Sequence, residues 1–287
     1  VLFFSKKNML LSNDLDTLVP NYLVSILQRK KLIYDSHELF PEIPELVHKP
    51  LVKKFWTTIE AFIVPKLKNN YTVCNSIATF YEDKYAVSFN TIMNLPTLKE
   101  TTTCNLPFNA ENKKIILYQG AVNIGRGLEL MIETMEFLDN HIFVIVGNGD
   151  IFESLKKSVA TKQLTTKVIF LGKLAPEKLF KITPHAHLGI SIEEDLGLNY
   201  RFALPNKIFD YIQAKVPILV SNLPEMKQVV IQHNVGEIVK SRKPKELALQ
   251  ITNLLEKDFN DALKNAKENL IWNKQEKKLL TIFKNSM

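Results

Sequence analysis

Residues 114–127, KIILYQGAVNIGRG, run from an apolar strand pattern into a turn with three glycines. The continuation RGLELMIETMEFL (126–138) takes helical spacing, so strand, glycine turn and helix follow one another directly. The same unit then repeats. HIFVIVGNG precedes the helical DIFESLKKSVATK, KVIFLG precedes APEKLFKIT, and HLGISI precedes PNKIFDYIQA. VPILVS leads into LPEMKQVVIQ, and GEIV into a final set of helices. Strands alternating with helices predict an α/β protein built on parallel sheets.

Upstream lies a second block with the same rhythm. NMLLSND (8–14) reads as a strand, TLVPNYLVSILQRKK as a helix, and LIYDSHE as a strand with a polar C-terminal end. A Pro/Glu-rich loop, the amphipathic helix LVKKFWTTIEAFIVPKL, the strand YTVCNS and the helix IATFYEDKY come next. Asn75 or Ser76 would open that helix. TIMNLP closes the block as a loop, and KETTTCNLPFNAENKK is the linker. Two doubly wound, Rossmann-like domains are therefore expected: 1–105, incomplete at its front, and 106–267, with 268–287 as a terminal helix. Such sheets bind ligands beyond the C-terminal ends of their strands, often in a cleft between domains.

Composition narrows the partners. The 287 residues are 46% hydrophobic and 23% charged, and no apolar run approaches the roughly 18 residues of a membrane span. Cys74 and Cys104 form neither a metal-ligand spacing nor a disulfide framework, which suits a reducing cytoplasm. The net charge of +7 allows contact with phosphates, nucleic acid or an acidic membrane face. Nucleic acid is set aside because no groove-reading motif or aromatic interleaving accompanies the lysines. The opening VLFFSKKN lacks the layout of a signal peptide.

The motifs fall at strand ends. YQGAVNIGRG has the GxxxxG spacing of a phosphate loop, but Arg126 and Gly127 stand where Lys and a magnesium-binding Ser/Thr belong. What remains is a turn from Gly120 whose N–H groups approach an anion, with an arginine at its lip; the plain alternative is a βα turn with a surface arginine. VGNGDIF supplies Gly147 and Gly149 but lacks the third glycine of a dinucleotide fingerprint. In YDSHELFPE, His37 follows a strand and could contact a ligand or serve as a hydrogen-bonded structural histidine. HE lacks the second histidine of a zinc motif, and no metal site is expected. His185 and His187 read as structural. SIEED (191–195) is either a solvated loop or a set of carboxylates for hydroxyl recognition.

In this order the pieces NDLDT, YDSHELFPE, YQGAVNIGRGLELMIE, VGNGD, IFLGKL and PNKIFDYIQAKVPILVS resemble the family 4 glycosyltransferases. These are retaining enzymes of the GT-B fold, and the likeness is strongest to bacterial members of surface-polysaccharide pathways. The resemblance spans nearly the whole chain and implies two Rossmann-like domains facing across a cleft, the first truncated. It implies that His37 lies near the donor sugar and that Arg126 and Lys207 neutralise the donor diphosphate. Asp210, seven residues before Pro217, would grip the ribose, with Asn206, Gly120 and Gly149 also at the donor.

Three positions depart from the family pattern. Ala121 replaces a common arginine, Asp210 is one methylene shorter than the usual glutamate, and the partner glutamate is absent because a gapless count from Asp210 lands on Phe202. Glu193 or Glu194 would then act from a longer loop. VLFFSKK would be the tail of a helix whose upstream units are missing.

The reaction implied is sugar transfer from a nucleotide-diphosphate donor to a glycan or lipid-linked acceptor hydroxyl, with retention and no cofactor or obligatory metal. A cytoplasmic location is implied, with room for peripheral contact at the inner membrane face. The competing reading is a truncated, non-catalytic nucleotide-sugar-binding or scaffold protein.

Overall fold

A computed structural model describes residues 8–43, 46 and 49–286. The expected helix tail VLFFSKK lies outside the described residues. The chain divides into two compact units: Val1–Asn94 with Leu196–Leu204 and Trp272–Met287, and Leu95–Asp195 with Pro205–Ile271.

The first unit holds a sheet of β1 (Met9–Asn13), β2 (Lys31–Ser36), β3 (Asn69–Thr72) and β4 (Asn90–Thr91), in that order and parallel throughout. Helices α1 (Asp14–Leu27), α2 (Pro50–Ile63) and α3 (Asn75–Tyr85) connect the strands. Leu15, Leu18, Tyr34, Leu39, Ile77 and Tyr81 form one buried cluster. Two findings differ from the sequence reading. The strand placed at YTVCNS starts at Asn69, where Asn69 and Asn70 already pair with Ile33 and Tyr34 of β2. TIMNLP, read as a loop, begins inside a two-residue strand, since its Thr91 is the second residue of β4, which pairs with Tyr71 and Thr72.

The second unit carries six parallel strands: β5 (Lys114–Gln119), β6 (His141–Val146), β7 (Val168–Gly172), β8 (Leu188–Ser191), β9 (Ile218–Val220) and β10 (Gly236–Ile238). Their order is β10-β9-β8-β5-β6-β7. The chain builds outward from β5 to β7, then returns to β8 on the other side. The β5/β8 boundary is therefore a topological switch point, where connecting loops diverge and leave room for a ligand. The helices in chain order are α4 (Leu128–Thr134), α5 (Phe152–Thr161), α6 (Pro176–Ile182), α7 (Leu198–Arg201), α8 (Asn206–Gln213), α9 (Pro224–His233), α10 (Pro244–Leu255), α11 (Asn260–Asn269) and α12 (Trp272–Ser286).

Two of these helices belong to the first unit. The loop LGLNYRFAL contains α7, whose Leu198, with Phe202 and Leu204 beyond it, packs on the first unit's main cluster. Along α12, Trp272, Leu279, Ile282 and Phe283 gather around Ile33, Tyr71 and Ile92.

One packing contact fixes the position of α8. A Cβ at Gly189 would lie 2.4 Å from the Tyr211 ring, so a glycine in β8 is what lets α8 lie close to the sheet. The fully buried Tyr211 hydroxyl accepts the Gln119 N–H and donates to Leu117 O, joining helix to β5. Among the described residues no helix is long and apolar enough to cross a membrane. Among them, too, no group of three His, Cys, Asp or Glu could hold a metal ion.

Candidate active site

In the second unit the turn after β5 is shaped by close backbone contacts. Gly120 and Gly147 both have φ in the left-handed range, and a Cβ on Gly147 would overlap Gly120 O. Gly127, at φ 74°, leaves no room for a Cβ beside Ile192 O, and Gly125 O accepts the Glu194 N–H at 2.8 Å. The glycine turn is therefore locked against the segment after β8. Gly149 has a different neighbour: a Cβ there would meet Asn123 Oδ1 and Val122 O. Asn123, which accepts the Asp150 N–H, joins the two turns and was not singled out in the sequence.

This lock brings Arg126, Glu193 and Lys207 together. Lys207 Nζ lies 2.7 Å from Glu193 Oε1, and Arg126 NH1 lies 3.8 Å from the same oxygen. Ser191 Oγ donates to Glu193 Oε2 at 2.8 Å, and Ser221 Oγ donates to the Glu193 carbonyl. The Lys207 ammonium also sits 4.0 Å from the Tyr118 ring centroid, a cation–π contact. Burial would raise the Glu193 carboxyl, but the Lys207 charge and the Ser191 hydrogen bond hold it below its ordinary range. Burial pulls Lys207 down against the attraction of Glu193, and Arg126 adds a same-sign push.

Glu193, expected among the substrate-binding residues, is enclosed, with its carboxylate engaged by Lys207 and Ser191. Lys207, expected to neutralise a diphosphate, is 7% exposed and turned toward Glu193 and Tyr118. Glu194 is the more exposed acid of the pair, and it meets Arg242 NH2 at 3.4 Å. Arg242 also donates to the carbonyls of Ile192 and Glu193, bracing the loop from below; nothing in its local sequence marked it.

Asp210 has a different partner. Its Oδ2 accepts the Gln119 side-chain N–H at 2.9 Å, and Gln119 is oriented in turn by Thr183 Oγ1. Desolvation raises the Asp210 carboxyl, opposed by Gln119 and Lys99, while the residue keeps an exposed edge. Helix α8 begins after Pro205 with no side-chain cap, so its first N–H groups, around exposed Asn206, form a partially positive end. Arg126, with a side chain 28% exposed, lies on the same switch-point loops.

His37 belongs to the first unit, at the end of β2. Its Nε2 lies 2.8 Å from Asp35 Oδ2, and its main-chain N–H donates to Asp14 Oδ1 at 2.8 Å. The hydrogen bond to Asp35 raises its pKa, burial opposes this, and the Asp35, Asp14 and Glu38 charges add to the rise. Within the same unit Asn199 donates to Glu38 Oε2 and accepts the Leu39 N–H, pinning the turn that follows His37. His187 Nδ1 accepts the Ile115 N–H, and His185 Nε2 lies 2.7 Å from Cys104 O, so both rings are engaged in structural bonds.

A parallel α/β unit with charged side chains gathered at its switch point can bind a ligand there, and the comparisons give the family. The family model for glycosyl transferases group 1 matches residues 106–276, and the chain belongs to that family: it is a glycosyltransferase. No curated protein matches its sequence. Among solved structures, HepE from Anabaena is similar at 13% identity and TM-score 0.78, over 96% of this chain and 79% of that one. Sucrose-phosphate synthase from Thermosynechococcus elongatus is similar at 16% identity and TM-score 0.76, over 97% and 73%. A glycosyltransferase from Rickettsia africae is similar at 18% identity and TM-score 0.70, over 92% and 73%. The fold is that of the GT-B glycosyltransferases.

Proposed function

We propose that the enzyme transfers a sugar from a nucleoside-diphosphate donor to an acceptor hydroxyl with retained anomeric configuration, as the resemblance to family 4 implies. The observation that carries this reading is the cluster of Arg126, Lys207 and Glu193 beside the uncapped start of α8, at the β5/β8 switch point. The costly event is departure of a diphosphate, and fixed donors aimed at the developing charge lower that barrier. Arg126 and the first N–H groups of α8 supply those donors. Lys207 adds positive charge from behind, with Glu193 holding it in place. Gly120 and Gly149 let the backbone approach the nucleotide, Asp210 and Asn206 take its ribose, and His37 contacts the sugar. Residues 106–267 form the donor domain, 1–105 the acceptor-side domain, and 268–287 the terminal helix returning to it.

HepE has been crystallised with UDP and with UDP-glucose, which makes a uridine donor the first choice. The acceptor is a glycan or lipid-linked hydroxyl in polysaccharide or glycolipid synthesis, reached by peripheral contact with a membrane. Titrating UDP-, GDP- and ADP-sugars against the purified chain tests the donor. Saturable binding of one class is expected, with UDP-sugars first; binding of none would overturn the reading.

A further inference from the structure

Strand β5 ends in a buried amide. KIILYQ runs apolar from Ile115 to Tyr118 and closes on Gln119, which is 3% exposed. An amide buried to that depth is costly unless both its ends are hydrogen-bonded. Both are: Nε2 donates to Asp210 Oδ2 at 2.9 Å, and Oε1 accepts from the Thr183 hydroxyl at 3.0 Å. An ionised carboxylate only accepts, so Nε2 must face Asp210 and Oε1 must face Thr183. Thr183 is buried as well, and its hydroxyl stands 2.9 Å from Leu179 O on α6.

This relay is more than the packing needs. The main-chain N–H of Gln119 already meets the Tyr211 hydroxyl, which joins β5 to α8 without the side chain. What the side chain adds is a fixed direction for Asp210 at the C-terminal end of β5. One carboxylate oxygen is held from the buried side, while the residue keeps its exposed edge. Lys99, on the segment before β5, is the other charge that reaches Asp210, and its Nζ sits 5.4 Å from the Phe180 ring centroid. Burial raises the Asp210 carboxyl, and Gln119, then Lys99, pull it back.

We infer that Gln119 and Thr183 are positioning residues that make Asp210 a ribose selector, aiming its exposed edge at the 2′- and 3′-hydroxyls of the donor nucleotide. The inference rests on the proposed place of Asp210 at the ribose and adds the source of its selectivity. A carboxylate already fixed in direction accepts a vicinal diol without first losing rotational freedom. A nucleotide lacking those hydroxyls leaves the partly desolvated carboxylate without its partners and is rejected.

Calorimetric titration of the full chain with UDP, GDP and ADP, each against its 2′,3′-dideoxy analogue, tests the inference. The wild type should bind one diphosphate about tenfold or more tighter than its dideoxy form. Gln119→Leu, checked for folding by circular dichroism, should reduce that ratio to about twofold. Thr183→Val should lose part of it, and Thr183→Ser, which keeps the hydroxyl, should restore it. An NMR titration of the carboxyl needs no nucleotide: the Asp210 midpoint should rise in Gln119→Leu. A relay that only braces α8 would lower the Tm of Gln119→Leu but leave the ribose ratio and the Asp210 midpoint unchanged, and that result overturns the inference. If Gln119→Leu does not fold, Thr183→Val against Thr183→Ser decides, and a full wild-type ratio in Thr183→Val overturns it. Wild-type binding without any ribose preference overturns this inference alone; binding of none of the three diphosphates overturns the donor reading with it.

Discussion

At the residue scale, the pair that governs the site is Glu193 with Lys207. Replacing one member of a buried ion pair leaves the other charge uncompensated, at a cost of about 3–5 kcal/mol. Glu193→Gln should therefore destabilise the protein at neutral pH, seen as an earlier urea midpoint. The Glu193 pKa is depressed in the folded state, so its contribution is present above about pH 4.5 and is lost as pH falls through the folded value. The gap between wild type and variant should narrow in acid, and a gap constant across that range would contradict the pairing. His37 runs the other way. Its folded pKa is raised, so protonation stabilises fully below about pH 6.5, and that contribution fades as pH rises through the elevated value. An NMR titration should place the His37 midpoint above 6.5 and show it falling in Asp35→Asn. Sequence alone named Arg126, Lys207 and Glu193, but their pairing was hidden. Glu193 and Lys207 are fourteen residues apart on separate elements, and local pattern cannot join them. Arg242 and Ser221 reach the same loop from still further along the chain.

At the element scale, legibility followed burial. Strands β5, β6 and β8 read as unbroken apolar runs because both faces of a parallel sheet are covered. Strand β4 was missed because two residues carry no period, and α7 because it has four residues, none fully buried, with Leu198 only partly covered by a cluster distant in sequence. Gly189 illustrates a requirement set by tertiary contact: it reads as a weak point in a strand, yet it admits the Tyr211 ring. Gly189→Ala should press a methyl into that ring and cost about 1–3 kcal/mol, visible as a lower Tm. A melting curve like that of wild type would mean α8 is not held by this contact.

At the scale of the whole molecule, the chain orders its charge around one strand reversal. β5 supplies the glycine turn, β8 the buried acid, and α8 the lysine and an uncapped helix start. None of these pieces is decisive alone, since a βα turn with a surface arginine is common. Their convergence at the switch point is what the proposed transfer rests on. Initial rates of sugar transfer by wild type, Arg126→Ala and Lys207→Ala, each checked for folding, test that claim most directly. The expected result is a fall in turnover of about 10²–10³ for each variant, the scale of losing one oxyanion donor. Near-normal transfer by both folded variants would contradict it.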